Sequence, residues 1–253
     1  MTRTRLSTCA VGALLVLASF GRSGEEKDLR AVINKAIAAS GGEETLAKFG
    51  AETMKGTGKY YGLGEAIDYT IEIATQKNQQ FRVGMDMRVM NFDVKIVVVV
   101  NGDKGWEKIN NDVKEIPADV LAEHKEQLHC QAVVNLLPLK DKAYKLSTIG
   151  DVKVGDLPAV GIRVSKDGRR DVNLYFDKEK GALIKSEYMV KDPKTTGDKE
   201  MTQASLYSEY KEFQGTRQPT RLIVERDGKM FTDTQLTEYQ PLEKIDDGTF
   251  DRP

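Results

Sequence analysis

The region from Ile67 to Lys108 carries apolar residues at every second position over an unusually long stretch. Apolar and polar side chains alternate around Ile67, Tyr69, Ile71 and Ile73, and again around Phe81, Val83, Met85, Met87 and Val89. A period of two is typical of antiparallel strands that bury one face and expose the other to water. The region therefore predicts several such strands and a fold that is mainly β.

The rest of the chain continues this series of strands. We predict further strands at residues 144–149, 159–165, 171–176, 183–190, 202–213, 220–225 and 230–239. Turn signals such as Asn101-Gly102 and Asp227-Gly228 stand in most of the gaps, and such pairs tolerate the positive φ of a tight hairpin. We therefore expect consecutive strands to pair antiparallel. A sheet of about ten twisted strands is expected to curl or close.

Two helical regions interrupt the strands. The first covers residues 28–39, where an apolar stripe repeats every three or four residues before Gly41-Gly42 ends it, and a short turn at 43–49 follows. The second begins near Pro117, which suits the first turn of a helix, and runs to about residue 137. We therefore expect an α+β protein whose helices cover the concave face or the mouth of the sheet.

The amino terminus has the pattern of a secretory signal peptide. Two arginines precede an apolar run from Cys9 to Phe20, which is too short to span a bilayer. Small residues allow cleavage after Gly21 or after Ser23, and a retained amphipathic anchor is the alternative. We take residues 1–23 as the leader, and we expect the mature chain to be exported, soluble and periplasmic.

Charge and cysteine content further narrow the classes of protein to which the chain can belong. The formal net charge of -1 becomes -3 when Arg3 and Arg5 leave with the leader, or -4 if Arg22 leaves too. Charges of both signs are interspersed, so the chain lacks the basic field that nucleic-acid binding needs. Cys130 is the single cysteine of the mature chain. We therefore expect no internal disulfide, a fold held by packing alone, and a buried thiol.

The residues most suggestive of chemistry lie on the second helix. On a regular helix His129 lies about 140° and Cys130 about 240° around from His124, so the three cannot converge on one metal ion. No nucleophile-elbow pattern accompanies the histidines, and the many acidic residues read as the solvated faces of strands. The sequence thus predicts no metal, no cofactor and no enzymatic activity. A hydrolase acting on envelope material remains the catalytic alternative.

Methionines stand out on the apolar face of the predicted strands. Met85 and Met87 alternate there with polar residues, and methionine side chains adapt to apolar ligands of varying shape. For either methionine alone, filling a gap in a core is the simpler interpretation. A curled sheet with one apolar face and helices over its opening is nevertheless a place where a hydrophobic ligand cavity forms.

Several short segments follow one another in an order that resembles a known family. They are the helix end Ala39-Ser40-Gly41-Gly42, the turn NGDKGW at 101–106, the helix at 117–137, LSTIGDVKVG at 146–155, LYFD at 174–177 with GAL at 181–183, Tyr210 with Gly215 and Pro219, and FDRP at 250–253. Their order resembles the LolA/LolB-like superfamily, especially its outer-membrane lipoprotein-sorting-protein-like members. The resemblance spans nearly the whole mature chain.

The resemblance implies an incomplete β-barrel. Residues 24–253 would form a single half-barrel domain, a strongly curved antiparallel sheet whose concave apolar face receives acyl chains or other lipid beneath covering helices. Proteins of this family bind and hand over their ligand and are not enzymes. This chain shows no counterpart of the lid arginine of the carriers, and it lacks the amino-terminal lipidated cysteine of the receptors.

On this basis we expect an exported carrier of a lipid, or of the acyl chain of a lipoprotein, with an envelope protein as donor or acceptor. The predicted cavity residues are Ile71, Ile73, Phe81, Val83, Met85, Met87, Val94, Ile96, Val98 and Trp106 of the sheet, with Leu121 and Leu128 of the covering helix. The alternative is a non-catalytic interaction or sensor module of the cell envelope, with the same fold and a filled core.

Overall fold

The computed structural model describes residues 17–77, 79–193 and 197–253. Within these ranges the chain forms helices α1 (Leu17–Ala39), α2 (Glu43–Lys48) and α3 (Ala118–Val134), with 3-10 turns at Leu137–Lys140 and Asp247–Phe250. The helices predicted at 28–39 and 117–137 are confirmed as part of α1 and as α3. The predicted leader, residues 1–23, lies mostly outside the described residues, so its cleavage stays a prediction.

The described chain also forms thirteen strands, all in one sheet. They are β1 (Ala51–Tyr60), β2 (Ile67–Gln76), β3 (Gln80–Val89), β4 (Phe92–Asn101), β5 (Lys104–Ile109), β6 (Asp112–Glu115), β7 (Lys145–Val154), β8 (Leu157–Ser165), β9 (Val172–Asp177), β10 (Leu183–Asp192), β11 (Gly197–Phe213), β12 (Thr216–Arg226) and β13 (Lys229–Leu242). Strands β1 and β6 are not among the strands whose bounds the sequence predicts. Two interior glycines interrupt the alternation of β1, and β6 has only four residues.

The strand order divides the sheet into two antiparallel meanders. Strands β1–β6 pair in chain order on one side, and β7–β13 pair in chain order on the other. The two meanders join where β1 pairs with β13, with Ala51 opposite Leu242 and Tyr60 opposite Thr232. Strands β6 and β7 follow one another in the chain, yet they form the two opposite edges of the sheet. The sheet is curved and is not closed into a barrel.

The connection between the two edges carries α3 across one face of the sheet. Thirteen strands laid flat span about 58 Å at roughly 4.8 Å per neighbouring pair. Helix α3 has 17 residues and a length of about 25 Å, less than half of that distance. The curl that accumulates from strand twist brings the edges closer together. The curvature of the sheet therefore allows a helix of this length to lie on the connection between its two edges.

The main core lies on the face that α1 and α3 contact, which we call the inner face. Over β8 and β9 this face is filled, because Ile162, Leu174 and Phe176 pack in one cluster with Ile33 of α1 and Val133 of α3. Each of these side chains is at most 3% exposed. Buried apolar side chains therefore fill the inner face over β7–β10.

The carboxyl-terminal segment packs on the opposite face, which we call the outer face. Phe250 is fully buried there and shares a cluster with Ile245, Ala51, Ala74 and Val99. These residues belong to the end of the chain and to β1, β2 and β4. The segment therefore covers the β1–β4 half of the sheet from the side that the helices do not reach.

A chain of side-chain amides holds this segment in place. The side-chain oxygen of Gln76 accepts a hydrogen bond of 2.8 Å from the backbone N–H of Ile245. Gln76 donates to Gln80, Gln80 donates to Asn101, and Asn101 donates to the backbone carbonyl of Phe250. The three amide side chains thus link β2, β3 and β4 to both ends of the segment.

Helix α3 is fixed in its amino-terminal half by a buried ion pair. Arg170, in the loop between β8 and β9, donates two hydrogen bonds of 2.7 and 2.6 Å to the carboxylate of Glu123. The same carboxylate accepts hydrogen bonds from the backbone N–H of Lys191 and from the side chain of Gln127. The Glu123 side chain is 6% exposed. Its negative charge is therefore shielded from water and compensated from several directions.

Removal of the Phe250 ring is expected to destabilise the fold strongly. Phe250→Ala leaves a cavity between the carboxyl-terminal segment and the sheet, and we expect the free energy of unfolding to fall by about 3–5 kcal/mol. Urea unfolding measures the change. Phe92→Ala is the matched control, because Phe92 is 74% exposed, and its effect should stay within about 0.5 kcal/mol. Equal effects of the two variants would contradict the role of the segment.

The ion pair of α3 predicts an acid-sensitive stability. Burial alone raises the pKa of Glu123, but the hydrogen bonds from Arg170, Lys191 and Gln127 outweigh it, so the pKa is lowered overall. The stabilisation is therefore present above the ordinary glutamate pKa and is lost as the pH falls from about 5 through the folded-state value. Glu123→Gln should cost about 3–5 kcal/mol at pH 7, because it leaves the Arg170 charge uncompensated.

The measurement is urea unfolding as a function of pH, and Glu123→Gln should flatten the fall in stability at low pH. Asp167→Asn removes an exposed partner of Lys145 and should change the free energy of unfolding by less than about 1 kcal/mol. If Glu123→Gln were as mild as this control, the ion pair would not hold the helix.

Candidate functional site

Nine of the twelve predicted cavity residues lie side by side on β2, β3 and β4. Met85 is opposite both Ile71 and Ile96, and the neighbouring positions repeat the same arrangement in register. Residues that oppose one another across strands share a face of the sheet. We call these nine residues the apolar strip: Ile71, Ile73, Phe81, Val83, Met85, Met87, Val94, Ile96 and Val98.

Helix α3 covers one end of the apolar strip. Leu121 and Leu128 of the helix pack in one cluster with Phe81 and Val98 of the strip and with Val100. The apolar strip therefore belongs to the inner face, and Leu121 and Leu128 contact the sheet there. The nine strip residues are only half-buried, in contrast to the filled inner face of β8 and β9. A ligand-lining role for them stays a prediction.

Trp106 is separated from the other predicted cavity residues. It lies opposite Val99 on the outer face, where it packs against the cluster around Phe250. The physical reason is the two-residue turn at Gly102-Asp103, which pairs Asn101 with Lys104 and so sets the register of β5. Trp106 consequently stabilises the carboxyl-terminal segment and does not face the apolar strip.

A tyrosine extends the inner face across β1. Tyr69 of β2 lies next to Met87 and forms a hydrogen bond with the hydroxyl of Thr234 on β13. Its ring passes over Gly58 of β1, where an added Cβ would stand 3.0 Å from the ring. An added Cβ would also collide with the backbone carbonyl of Asp233, so the absence of a side chain at Gly58 allows both the ring and strand β13 to approach closely.

A carboxyl group lies on the inner face beyond the apolar strip. Glu52 of β1 accepts hydrogen bonds from the hydroxyl of Tyr239 at 2.8 Å and from the hydroxyl of Thr75 at 3.2 Å. Burial raises the pKa of Glu52, and the two hydrogen bonds lower it by less, so the pKa stays above its ordinary value. This group is not among the predicted site residues, because the sequence did not predict the bounds of β1. In the sequence, Glu52 is a single charged residue between Ala51 and Thr53, and no motif marks it as part of a site.

The two histidines and the cysteine are separated as the helical geometry predicts. The ring of His124 meets Phe81 edge-on at 5.6 Å, whereas the ring of His129 stacks on Tyr144 at 6.1 Å. Cys130 is fully buried, as expected, and burial raises the pKa of its thiol to about 12. The thiol is therefore protonated at neutral pH and is a poor nucleophile.

A depression of about 760 Å³ lies on the outer face of the sheet. Its lining carries paired charges, including Lys59 with Asp68 at 2.8 Å and Arg221 with Asp233 at 3.1 Å. Exposed pairs of this kind contribute little to stability. Most of the side chains that line the depression are charged or polar, but two residues of the apolar strip, Met87 and Val94, and the adjacent Tyr69 also contribute to the lining. The charged side chains distinguish this depression from the apolar cavity that the sequence predicts.

Two further observations concern the parts of the chain that the structure describes. None of their helices is both long enough and apolar enough to cross a membrane. Across the same residues, no group of three or more histidine, cysteine or acidic side chains has the arrangement of a metal site.

Comparison with known proteins finds similarity in structure and not in sequence. No family model matches the chain, and no curated protein matches it. Among solved structures, a DUF1329 family protein from Desulfovibrio piger is similar with a TM-score of 0.57 and 11% identity over 88% of this chain and 96% of that chain.

Two further structures are similar over most of both chains. A LolA superfamily protein from Nitrosomonas europaea has a TM-score of 0.53 and 11% identity, and covers 88% of this chain and 96% of its own. A domain described as an outer membrane lipoprotein-sorting protein, from Vibrio parahaemolyticus, has a TM-score of 0.54 and 10% identity, with coverage of 87% and 94%. Identities this low show the fold alone. The chain thus has a LolA-like fold: a curved antiparallel sheet, open at its edges, with helices packed on one face.

Proposed function

We propose that this protein is an exported carrier that holds the apolar part of a lipid, or the acyl chain of a lipoprotein, against the apolar strip. The observation that carries the proposal is the contrast between the two halves of the inner face. Helices fill the half formed by β7–β10, whereas the nine strip residues remain half-buried. A contiguous apolar surface that the fold leaves partly open is the usual mark of an interaction site.

Two of the similar structures, those from Nitrosomonas europaea and Vibrio parahaemolyticus, support this proposal. One is a LolA superfamily protein and another is an outer membrane lipoprotein-sorting domain. Carriage of a lipoprotein or lipid is therefore the function class that best suits this fold together with this surface. It implies a periplasmic location and an envelope protein that delivers or receives the ligand.

The chemistry of the described residues supports a carrier that is not an enzyme. Both histidines pack against aromatic rings, and the one cysteine of the predicted mature chain is a buried, protonated thiol. Glu52, whose pKa is raised, is hydrogen-bonded to a tyrosine and a threonine, with no histidine or cysteine among its hydrogen-bond partners. Binding and release need none of these groups to change covalently.

One observation favours a second candidate, a non-catalytic interaction or sensor module of the cell envelope. The filled core between α1, α3 and β7–β10 shows how completely helices can cover this type of sheet. If a partner protein covered the apolar strip in the same way, the strip would be an interface and no lipid would bind. Ligand content separates the two candidates.

Native mass spectrometry tests ligand content directly. The full chain is expressed in a bacterium, and the processed protein is purified from the envelope without detergent and weighed before and after solvent extraction. We expect one lipid or acyl-bearing species per chain, lost on extraction. A ligand-free mass, together with no uptake of a hydrophobic probe, would contradict the carrier and favour the interaction module.

A charge placed in the apolar strip should strongly weaken binding of an apolar ligand. Met85→Glu puts a carboxylate between Ile71 and Ile96, and burial of that charge against an apolar ligand should weaken binding of the uncharged probe N-phenyl-1-naphthylamine by at least about tenfold. Fluorescence titration measures the affinity. The matched control is Thr70→Glu, because Thr70 is exposed on the outer face of β2. Unchanged uptake by Met85→Glu, with urea unfolding like that of the control, would contradict the assignment.

A further inference from the structure

Arg226 occupies a position on the inner face that the proposed function does not explain. It is the last residue of β12, opposite Gln203 of β11, which is in turn opposite Tyr188 of β10. Tyr188 packs against the main core, so this row of three residues faces inward. The Arg226 Nε–H donates to the side-chain oxygen of Gln203 at 3.1 Å, and the Gln203 amide donates to the Tyr188 hydroxyl at 3.0 Å.

Aromatic rings shield the guanidinium group of Arg226 from water. Its central carbon lies 3.7 Å from the ring centroid of Phe231, and the Phe231 ring meets Tyr60 edge-on at 5.2 Å. The Arg226 side chain is 21% exposed. A cation over an aromatic face in a partly desolvated place interacts more strongly with charge than one in open water.

The guanidinium group keeps most of its hydrogen-bonding capacity. Its terminal nitrogen lies 3.9 Å from the carboxylate of Asp192, beyond hydrogen-bond distance. Toward residues that the structure describes, only the Nε–H of its five N–H groups donates a hydrogen bond. No fully buried side-chain nitrogen or oxygen among these residues lacks a partner, so the remaining N–H groups of Arg226 open onto accessible space.

The Asp192 carboxylate forms an ion pair with the Arg226 guanidinium group without a direct hydrogen bond. Burial lowers the pKa of Arg226, and the neighbouring charges that oppose this effect, Asp192 first and Glu123 among the others, do not fully offset it. Arginine nevertheless stays protonated at neutral pH. A partly desolvated cation with unused, fork-shaped donors matches a carboxylate or a phosphate.

We propose that Arg226, with Gln203 and Tyr188, binds the anionic head group of an amphiphile whose apolar part lies on the apolar strip. The proposal rests on the proposed carrier function and names the class of its ligand, a carboxylate or phosphate joined to a hydrocarbon chain. Three strand spacings, about 14 Å, separate β12 from β2, where the strip begins. Phe231 and Tyr60 lie along this path, so a hydrocarbon chain leaving the guanidinium group meets aromatic rings first.

The test compares two probes that share a tail and differ in charge. cis-Parinaric acid carries a carboxylate, and its methyl ester is uncharged, so fluorescence titration of both isolates the contribution of the head group. We expect the parent protein to bind the acid at least about tenfold more tightly than the ester. Arg226→Met should weaken binding of the acid by at least about tenfold and change binding of the ester by less than about twofold.

The matched control lies on the same strand. Arg221→Met removes an arginine from β12 whose side chain pairs with Asp233 on the outer face, and it should leave both probes unchanged. If Arg226 only stabilised the packing of the strands, Arg226→Met would change the affinities for the acid and for the ester by the same factor. If Arg226→Met fails to fold, Arg226→Lys carries the test, because it keeps the charge and loses the fork. Arg226→Lys should weaken binding of the acid about three- to tenfold and leave binding of the ester unchanged.

The remaining outcomes separate this inference from the proposed function. Equal affinity for acid and ester in the parent protein would overturn the head-group site and leave the carrier intact. Absence of binding by both probes would overturn the carrier itself. Displacement of the acid by micromolar inorganic phosphate would assign Arg226 to a free anion and overturn its role toward an amphiphile.

Discussion

The pairing of β1 with β13 is the contact on which the rest of the molecule depends. Each meander could form by local hairpins, but only this pairing makes them one sheet. It places β6 and β7 at opposite edges, so the chain between them has to return across the sheet, and α3 lies on that return. The covered inner face therefore follows from strand order, and the ion pair between Glu123 and Arg170 fixes the helix where it crosses.

The inner face is divided into a filled half and a partly open half. The division follows from which apolar groups find partners: α1 and α3 supply enough side chains to cover β7–β10, while over β2–β4 only the end of the strip meets α3. Two polar points border the open half, a carboxyl group at Glu52 and a guanidinium group at Arg226. An apolar surface with polar groups beside it suits a molecule with distinct ends better than a uniform hydrocarbon.

The sequence predicted this architecture where one physical signal dominated. Alternation from Phe81 to Val89 identified both the strand and its apolar face, and the register of β2–β4 confirms that face. The signal failed where both faces are covered. Val97 to Val100 is a continuous apolar run, because the carboxyl-terminal segment buries its outer side and α3 its inner side. Such a run does not say which side Trp106 faces, although the tight turn at Gly102-Asp103 contains that information.

Other parts of the site have no local signal in the chain. Glu52 and Arg226 are partly buried among residues that are far away in sequence. Strand β1 was not predicted because its two glycines interrupt the alternation: an added Cβ would meet the backbone carbonyl of Gln235 at Gly56, and that of Asp233 and the ring of Tyr69 at Gly58. Curvature could be expected only in general terms from strand number. The order of the two meanders is a long-range property that no local pattern encodes.

The same β1–β13 contact has a consequence for how the protein reaches its native state. The hydrogen bond from Tyr239 to Glu52 joins residues 187 positions apart, so the first meander leaves the ribosome long before its partner strand. Contacts of such long range slow folding, since a large loop must close before they form. Until then β1 is an unpaired edge beside an uncovered apolar surface, a combination that favours aggregation. Pairing with β13 and coverage by the carboxyl-terminal segment therefore protect the first meander from aggregation.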